Sequence, residues 1–188
     1  MTLGCRRRFS SLLALLVGGL VLSAPAQSRI WSHSPADLAR DYLVITDNRG
    51  GGDNVFVFWM APPMFSSPTP NRALHDILSK YVVVGVSRSH VSKEGSMSFD
   101  TASSLQVDDA SGHPLTALNS DTIPPTVVGT LATLQTMMGW SFGPFGKGIQ
   151  WFVFDTGAVQ VCGEGGLAVK FADQVYTYST PIPGCSGS

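Results

Sequence analysis

Short stretches of alternating or continuous apolar residues, separated by Gly, Pro, Asn and Asp, dominate the chain. Residues 42–46 and 55–60 are β-branched or aromatic runs flanking the turn-rich residues 47–54, which predicts a hairpin with a long loop. Pro62, Pro63, Pro68 and Pro70 forbid regular structure in the connection that follows. Over residues 72–81 the period changes. Ala73, Leu74, Ile77, Leu78 and Tyr81 share one helical face, with Asn71 as N-cap. Residues 82–86 carry valine at both odd and even positions, as a strand covered on both faces would. Residues 105–108 and 114–118 read as strands joined by a turn at 109–112, where Gly112 supplies the positive φ. A second helix opens at Asp121 or Thr122, holds Pro124 and Pro125 in its first turn and runs to Met138. Its apolar face is Ile123, Val127, Val128, Leu131, Leu134 and Met138. A Gly-rich connection over 139–148 leads to four more strands, at 149–154, 158–161, 167–171 and 175–179.

Short strands with regular turn signals and no internal repeat predict a mainly β, single-domain β-sandwich, immunoglobulin-like or related, with two inserted helices. The alternative is an α+β two-layer arrangement with both helices on one face.

The N-terminus changes the picture of where this domain works. Arg6, Arg7 and Arg8 precede an apolar run over 12–22, and Ala24 and Ala26 follow at the positions a signal peptidase reads. The run is shorter than the roughly 20 residues of a spanning helix. Residues 1–26 are therefore expected to be a cleaved signal peptide and residues 27–188 a globular domain, periplasmic or extracellular, with no transmembrane segment after cleavage. Three of the 12 basic residues lie in the signal, so the remainder faces 13 acidic residues with only nine. That balance gives no basic stripe and excludes a nucleic-acid partner.

Candidate chemistry is sparse. After cleavage two cysteines remain, Cys162 and Cys185. In an oxidising compartment they are expected to form a disulfide that ties the tail to a strand. Four histidines, at 33, 75, 90 and 113, are scattered. Met60, Met64 and Met97 with His75 or His90 would suit copper, and Asp47, Asp53, Asp108 and Asp109 would suit calcium. Neither set has a metal-site spacing, so no metal or other cofactor is expected. Gly85-Val86-Ser87-Arg88-Ser89 begins like a nucleophile elbow, but Ser89 replaces the second glycine and no helix follows. Gly143, Gly146, Lys147 and Gly148 suggest a phosphate loop, yet a strand follows where that loop needs a helix.

The sharpest motif is Phe152-Val153-Phe154-Asp155-Thr156-Gly157-Ala158. It resembles the aspartic-peptidase signature, which would make Asp155 one of two carboxylates sharing a proton across a two-fold axis. There is no second Asp-Thr/Ser-Gly, so catalysis would require a homodimer. The same residues also read as a hairpin with Asp155-Thr156-Gly157 at its turn, and we prefer that reading.

Two features remain. No charged residue occurs between Asp121 and Lys147, so the second helix is expected either to be covered within the domain or to meet a partner, and we favour coverage. Trp59, Met60, Met64 and Phe65 form an apolar run into a loop, a contact surface if exposed and a plug for the sandwich if buried. The expected function is a non-enzymatic exported domain that binds a protein partner or small ligand. The alternatives are a dimeric aspartic hydrolase using Asp155 and a periplasmic metal-binding domain.

Overall fold

A computed structural model describes residues 35–65, 72–183 and 185. The expected signal peptide, His33, Asn71, Pro68 and Pro70 lie outside the described residues, as do the side chains of Met64 and Phe65. The described residues begin with α1 (Pro35–Leu38), which continues as a π turn (Ala39–Leu43) into β1 (Val44–Gly50) and β2 (Asp53–Met60). A 3-10 turn (Pro62–Phe65), α2 (Arg72–Leu78), β3 (Tyr81–Val91), β4 (Met97–Phe99) and β5 (Gln106–Asp109) follow. The second half contains α3 (Pro125–Ser141), α4 (Pro144–Lys147), β6 (Gln150–Asp155), β7 (Gly165–Phe171) and β8 (Gln174–Thr180).

The architecture is mainly β, with two antiparallel sheets. In the five-stranded sheet β3 is central. β2 lies along one edge of it and β1 lies outside β2. On its other edge β6 pairs with Tyr81 through Val86, and β4 pairs with Ser89 through Val91. The three-stranded sheet has the order β5-β7-β8. Val82, Val84 and Val86 face that second sheet, within a core that also holds Val55, Val57, Trp59, Phe154, Leu167, Val169, Tyr176 and Tyr178. Val83 faces the opposite way, into a second core with Met60, Val153, Leu74, Ile77, Leu78, Val127 and Leu134. β3 is thus covered on both faces, as its valines predict. The two helices form a third layer on the outer face of a sandwich, which combines features of both architectures expected from the sequence.

Several boundaries differ from expectation. The β1–β2 ladder continues inward through Asp47↔Val55 and Asn48↔Asn54, leaving only Gly51 and Gly52 as the turn. Both have positive φ, and a Cβ on Gly52 would strike the Val91 carbonyl, so the long loop is replaced by a glycine turn. α3 starts at Pro125, not 121 or 122. The pyrrolidine ring of Pro125 disfavours helical geometry at the preceding residue, and Pro124 is extended at φ −62° and ψ 142°. Residues 114–118 do not form a strand. Pro114 and Ala117 make isolated bridges to Asp108 and Phe154. No strand forms over 158–161 either, while β4, a three-residue strand, was not anticipated.

Candidate ligand-binding cleft

At one end of the sandwich the chain leaves β2, and consecutive prolines turn it away from the sheet. α2 then returns it to β3. The loop after β6 closes the other side. Within it the Val159 amide donates to the Thr156 carbonyl at 2.9 Å, and Gly157 has φ +52°. The tail is fixed to this loop by the Ile182 amide, which donates to the Val161 carbonyl at 3.0 Å, and by a Cys162–Cys185 disulfide with Cα atoms 5.4 Å apart. Between these walls lies a cleft of about 480 Å³. Trp59, Pro62, Leu78, Tyr81 and Val159 supply its apolar lining, and the disulfide borders it. His75, Ser79 and Thr156 contribute its sparse polar groups. The Ser79 hydroxyl already donates to the His75 carbonyl at 2.8 Å. Among the described residues, no Asp, Glu, Lys or Arg lines the cleft.

Beneath the cleft, packing is tight. The Trp59 and Tyr178 rings meet edge to face at 5.6 Å, and the Tyr178 hydroxyl donates to the Val57 carbonyl at 3.0 Å. Burial pushes the Tyr178 hydroxyl far above the ordinary phenol range. A second groove of about 600 Å³ runs between α2 and α3. Its walls include Asp76, Lys80, Thr126, Thr130 and Thr133, so it carries charged side chains among its lining residues.

Of the four residues of the apolar run, two have described side chains. Trp59 and Met60 are buried, at 1% and 2% exposure. Neighbouring residues on a strand point to opposite faces, so Trp59 enters the sandwich core and Met60 the helix-side core. Trp59 still reaches the base of the cleft. Asp155 is the exposed last residue of β6, and its amide donates to the Thr116 carbonyl at 3.0 Å. The turn after it does not lead into a hairpin strand, because residues 156–164 form an irregular loop.

The remaining candidates are dispersed or already engaged. Met60 pairs opposite Val83 and Met97 opposite Val91, roughly 26 Å apart along β3 at about 3.3 Å per residue. His75 borders the cleft, whereas His90 lies near the far end of β3. The four aspartates serve structure. Asp47 accepts from Arg49 and from the Tyr176 hydroxyl, at 3.0 and 2.8 Å, joining the two sheets. Asp53 receives a bidentate pair from Arg88 at 3.2 and 2.9 Å. Asp108 accepts from Lys170 at 2.8 Å, and Asp109 caps the turn through the amides of Ser111 and His113. These hydrogen bonds hold all four carboxyls below the usual carboxylate range: Arg49 acts on Asp47, Arg88 on Asp53, Lys170 on Asp108 and the His113 amide on Asp109. Among the described residues no three His, Cys, Asp or Glu side chains gather as a metal set. Ser87 and Ser89 lie in the unbroken, buried part of β3, which is incompatible with an exposed nucleophile elbow. Gly146 and Gly148 pack against Met138 and Phe99, so the glycines of the suspected phosphate loop serve close packing.

The fold and the cleft define a class: a two-sheet β domain with a helical outer layer and an apolar end cleft. Comparison with known proteins returns no matching family model, no matching curated protein and no matching solved structure. Sequence reading missed the cleft because its walls come from four separated segments. The signals present were Pro62-Pro63 and the two cysteines, each informative only about its own segment.

Proposed function

We propose that this chain is an exported binding domain whose end cleft takes an uncharged, largely apolar ligand, either a small molecule or an apolar side chain of a protein partner. The observation that carries this reading is the cleft itself: about 480 Å³, with aromatic and aliphatic lining and few polar groups. Binding sites of this kind gain affinity from apolar area and orientation from a small number of hydrogen bonds. Here His75 and Thr156 are the groups placed to orient a ligand. The absence of charged lining side chains disfavours an ionic ligand, which would lose its hydration without a counter-charge. Export is supported by the N-terminal sequence pattern and by a disulfide of the kind that persists in oxidising compartments.

The test uses an environment-sensitive naphthalene dye with the purified protein. Thr156 is half-buried on the cleft wall, so Thr156→Arg should fill the opening without disturbing either core. Saturable dye binding by the wild type, lost in Thr156→Arg at unchanged melting temperature, is expected. Equal binding by both proteins would defeat the proposal. Peptide cleavage at acidic pH that vanishes in Asp155→Asn would replace it with the dimeric hydrolase.

A further inference from the structure

Two walls of the end cleft are held in different ways. On one side Trp59 and Leu78 are buried in the two cores, and Tyr81 pairs with Asp155 in the β3–β6 ladder. The other side is the loop over residues 156–164, which belongs to no strand. Within it the amides of Val159 and Gly163 donate to the Thr156 and Gln160 carbonyls, so these bonds shape the loop without tying it down. It is tied to the rest of the domain by the packing of Val159 and Val161 against the sandwich core, by the Ile182 amide on the Val161 carbonyl and by the Cys162–Cys185 disulfide. The tail is the firmer end of that disulfide, because Ile182 is 2% exposed and lies in the sandwich core. Breaking the disulfide therefore frees the loop rather than the tail.

We propose that this disulfide is a redox gate for the cleft: reduction by a dithiol loosens the 156–164 wall and releases the ligand, and reoxidation restores binding. The proposal rests on the cleft as the ligand site. The observation that carries it is the placement of the two sulfurs. Cys162 and Cys185 both line the cleft, Cys162 exposed and Cys185 at 7% exposure. The bond is thus part of the surface that meets the ligand, and one end of it is open to solvent. Exposed disulfides are the ones that exchange with thiols.

The exchange runs in two steps. A thiolate of the dithiol attacks the Cys162 sulfur. A new S–S bond forms to Cys162 as the Cys162–Cys185 bond breaks, and Cys185 leaves as a thiolate and takes up a proton. The Cys185 sulfur lies 3.6 Å from the Val161 carbonyl, which accepts from the new thiol, so this buried donor is not orphaned. The second thiol of the reductant then attacks its own half of the mixed disulfide and releases Cys162. The protein disulfide is reduced to two thiols, and the dithiol is oxidised to a cyclic disulfide. The wall that carries Thr156, Val159 and Val161 has then lost its covalent tie.

Naphthalene-dye affinity of the purified protein tests the gate. It is measured on the oxidised protein, after reduction with dithiothreitol and after reoxidation, with free thiols counted and near-ultraviolet circular dichroism recorded at each stage. A wall that keeps its binding position roughly a tenth of the time weakens apparent affinity about tenfold, and a loss of that order on reduction, reversed by oxidation, is expected. By linkage the dye makes the disulfide harder to reduce by the same factor, which a dithiothreitol titration with and without dye reads independently. The variant with serine at both positions should bind as weakly as the reduced protein and ignore dithiothreitol. Equal affinity before and after complete reduction would overturn the gate while leaving the ligand site intact. Loss of the aromatic dichroism on reduction would also overturn it, since the bond would then hold the whole fold rather than one wall. Failure of the oxidised protein to bind the dye would remove the ligand site and the gate with it.

Discussion

The five-stranded sheet meets another sheet on one face and helices on the other, and the two interfaces are filled differently. On the sandwich side, Val55, Val57, Val82, Val84 and Val86 oppose Leu167, Val169, Tyr176 and Tyr178, all buried. Branched side chains on two surfaces of the same two-residue period interlock closely. On the helix side, period two meets period 3.6, and aromatic rings bridge the mismatch. Phe56 packs on Phe145 and Phe58 on Phe142, each at 5.3 Å, with Trp151 at 6.5 Å from Phe58. The buried hydroxyls of Ser87 and Ser89 meet no hydrogen-bond partner among the described residues, and both point to this side. The sandwich side is the stability core of the protein. The helix side is the looser surface and ends in an exposed face.

The sharpest way to break this comparison is to truncate one large residue on each side. Phe154→Ala, in the sandwich core, should cost about 3–5 kcal/mol. Leu134→Ala, equally buried but on half-open α3, should cost about 2 kcal/mol, the low end for such a change, because the helix can settle inward. Chemical denaturation of both variants measures the difference, and equal losses would remove the distinction. Replacing Cys162 and Cys185 by serine should cost about 3 kcal/mol on chain-entropy grounds, for a sequence separation of 23. The same variant should weaken dye binding, since the disulfide borders the cleft.

Gly85→Ala tests packing on the helix side. A Cβ there would lie 2.6 Å from the Trp151 ring and 3.0 Å from Ile149, so a loss of about 1–3 kcal/mol is expected from overpacking. Full stability in a thermal melt would mean that the aromatic layer can yield. Outside both cores, the Asp108–Lys170 pair predicts an acid limit. The folded pKa of Asp108 is lowered by the Lys170 hydrogen bond from its ordinary 3.8. The stabilisation is therefore present in full above the unfolded pKa and is lost as pH falls through the folded one. In Lys170→Met, melting curves between neutral and acidic pH should show a smaller acid-dependent loss than in the wild type. The smallest effect is expected for Thr133→Lys. The position is exposed, so stability in dilute solution should change by less than about 0.5 kcal/mol.

The sequence by itself determined the strands with the strongest period. β2, β3, β6, β7 and β8 lie where alternating or continuous apolar runs place them, because a strand's pattern is read within five or six consecutive residues. The valines on both faces of β3 announced a covered sheet, and two cysteines in the expected mature chain announced their own pairing. Tertiary structure decided what depends on distant partners. β4 is too short to show a period and exists because Ser89 through Val91 offer it an open edge. Residues 158–161 are as apolar as a strand, yet they find no edge to pair with and become a cleft wall. Uncharged α3 has the same composition whether covered or bare, and among the described residues the placement of α2 and the sheets leaves half of it uncovered. The cleft was illegible for the same reason. Local pattern specifies how a segment folds, while a cavity is the space left where four such segments fail to meet.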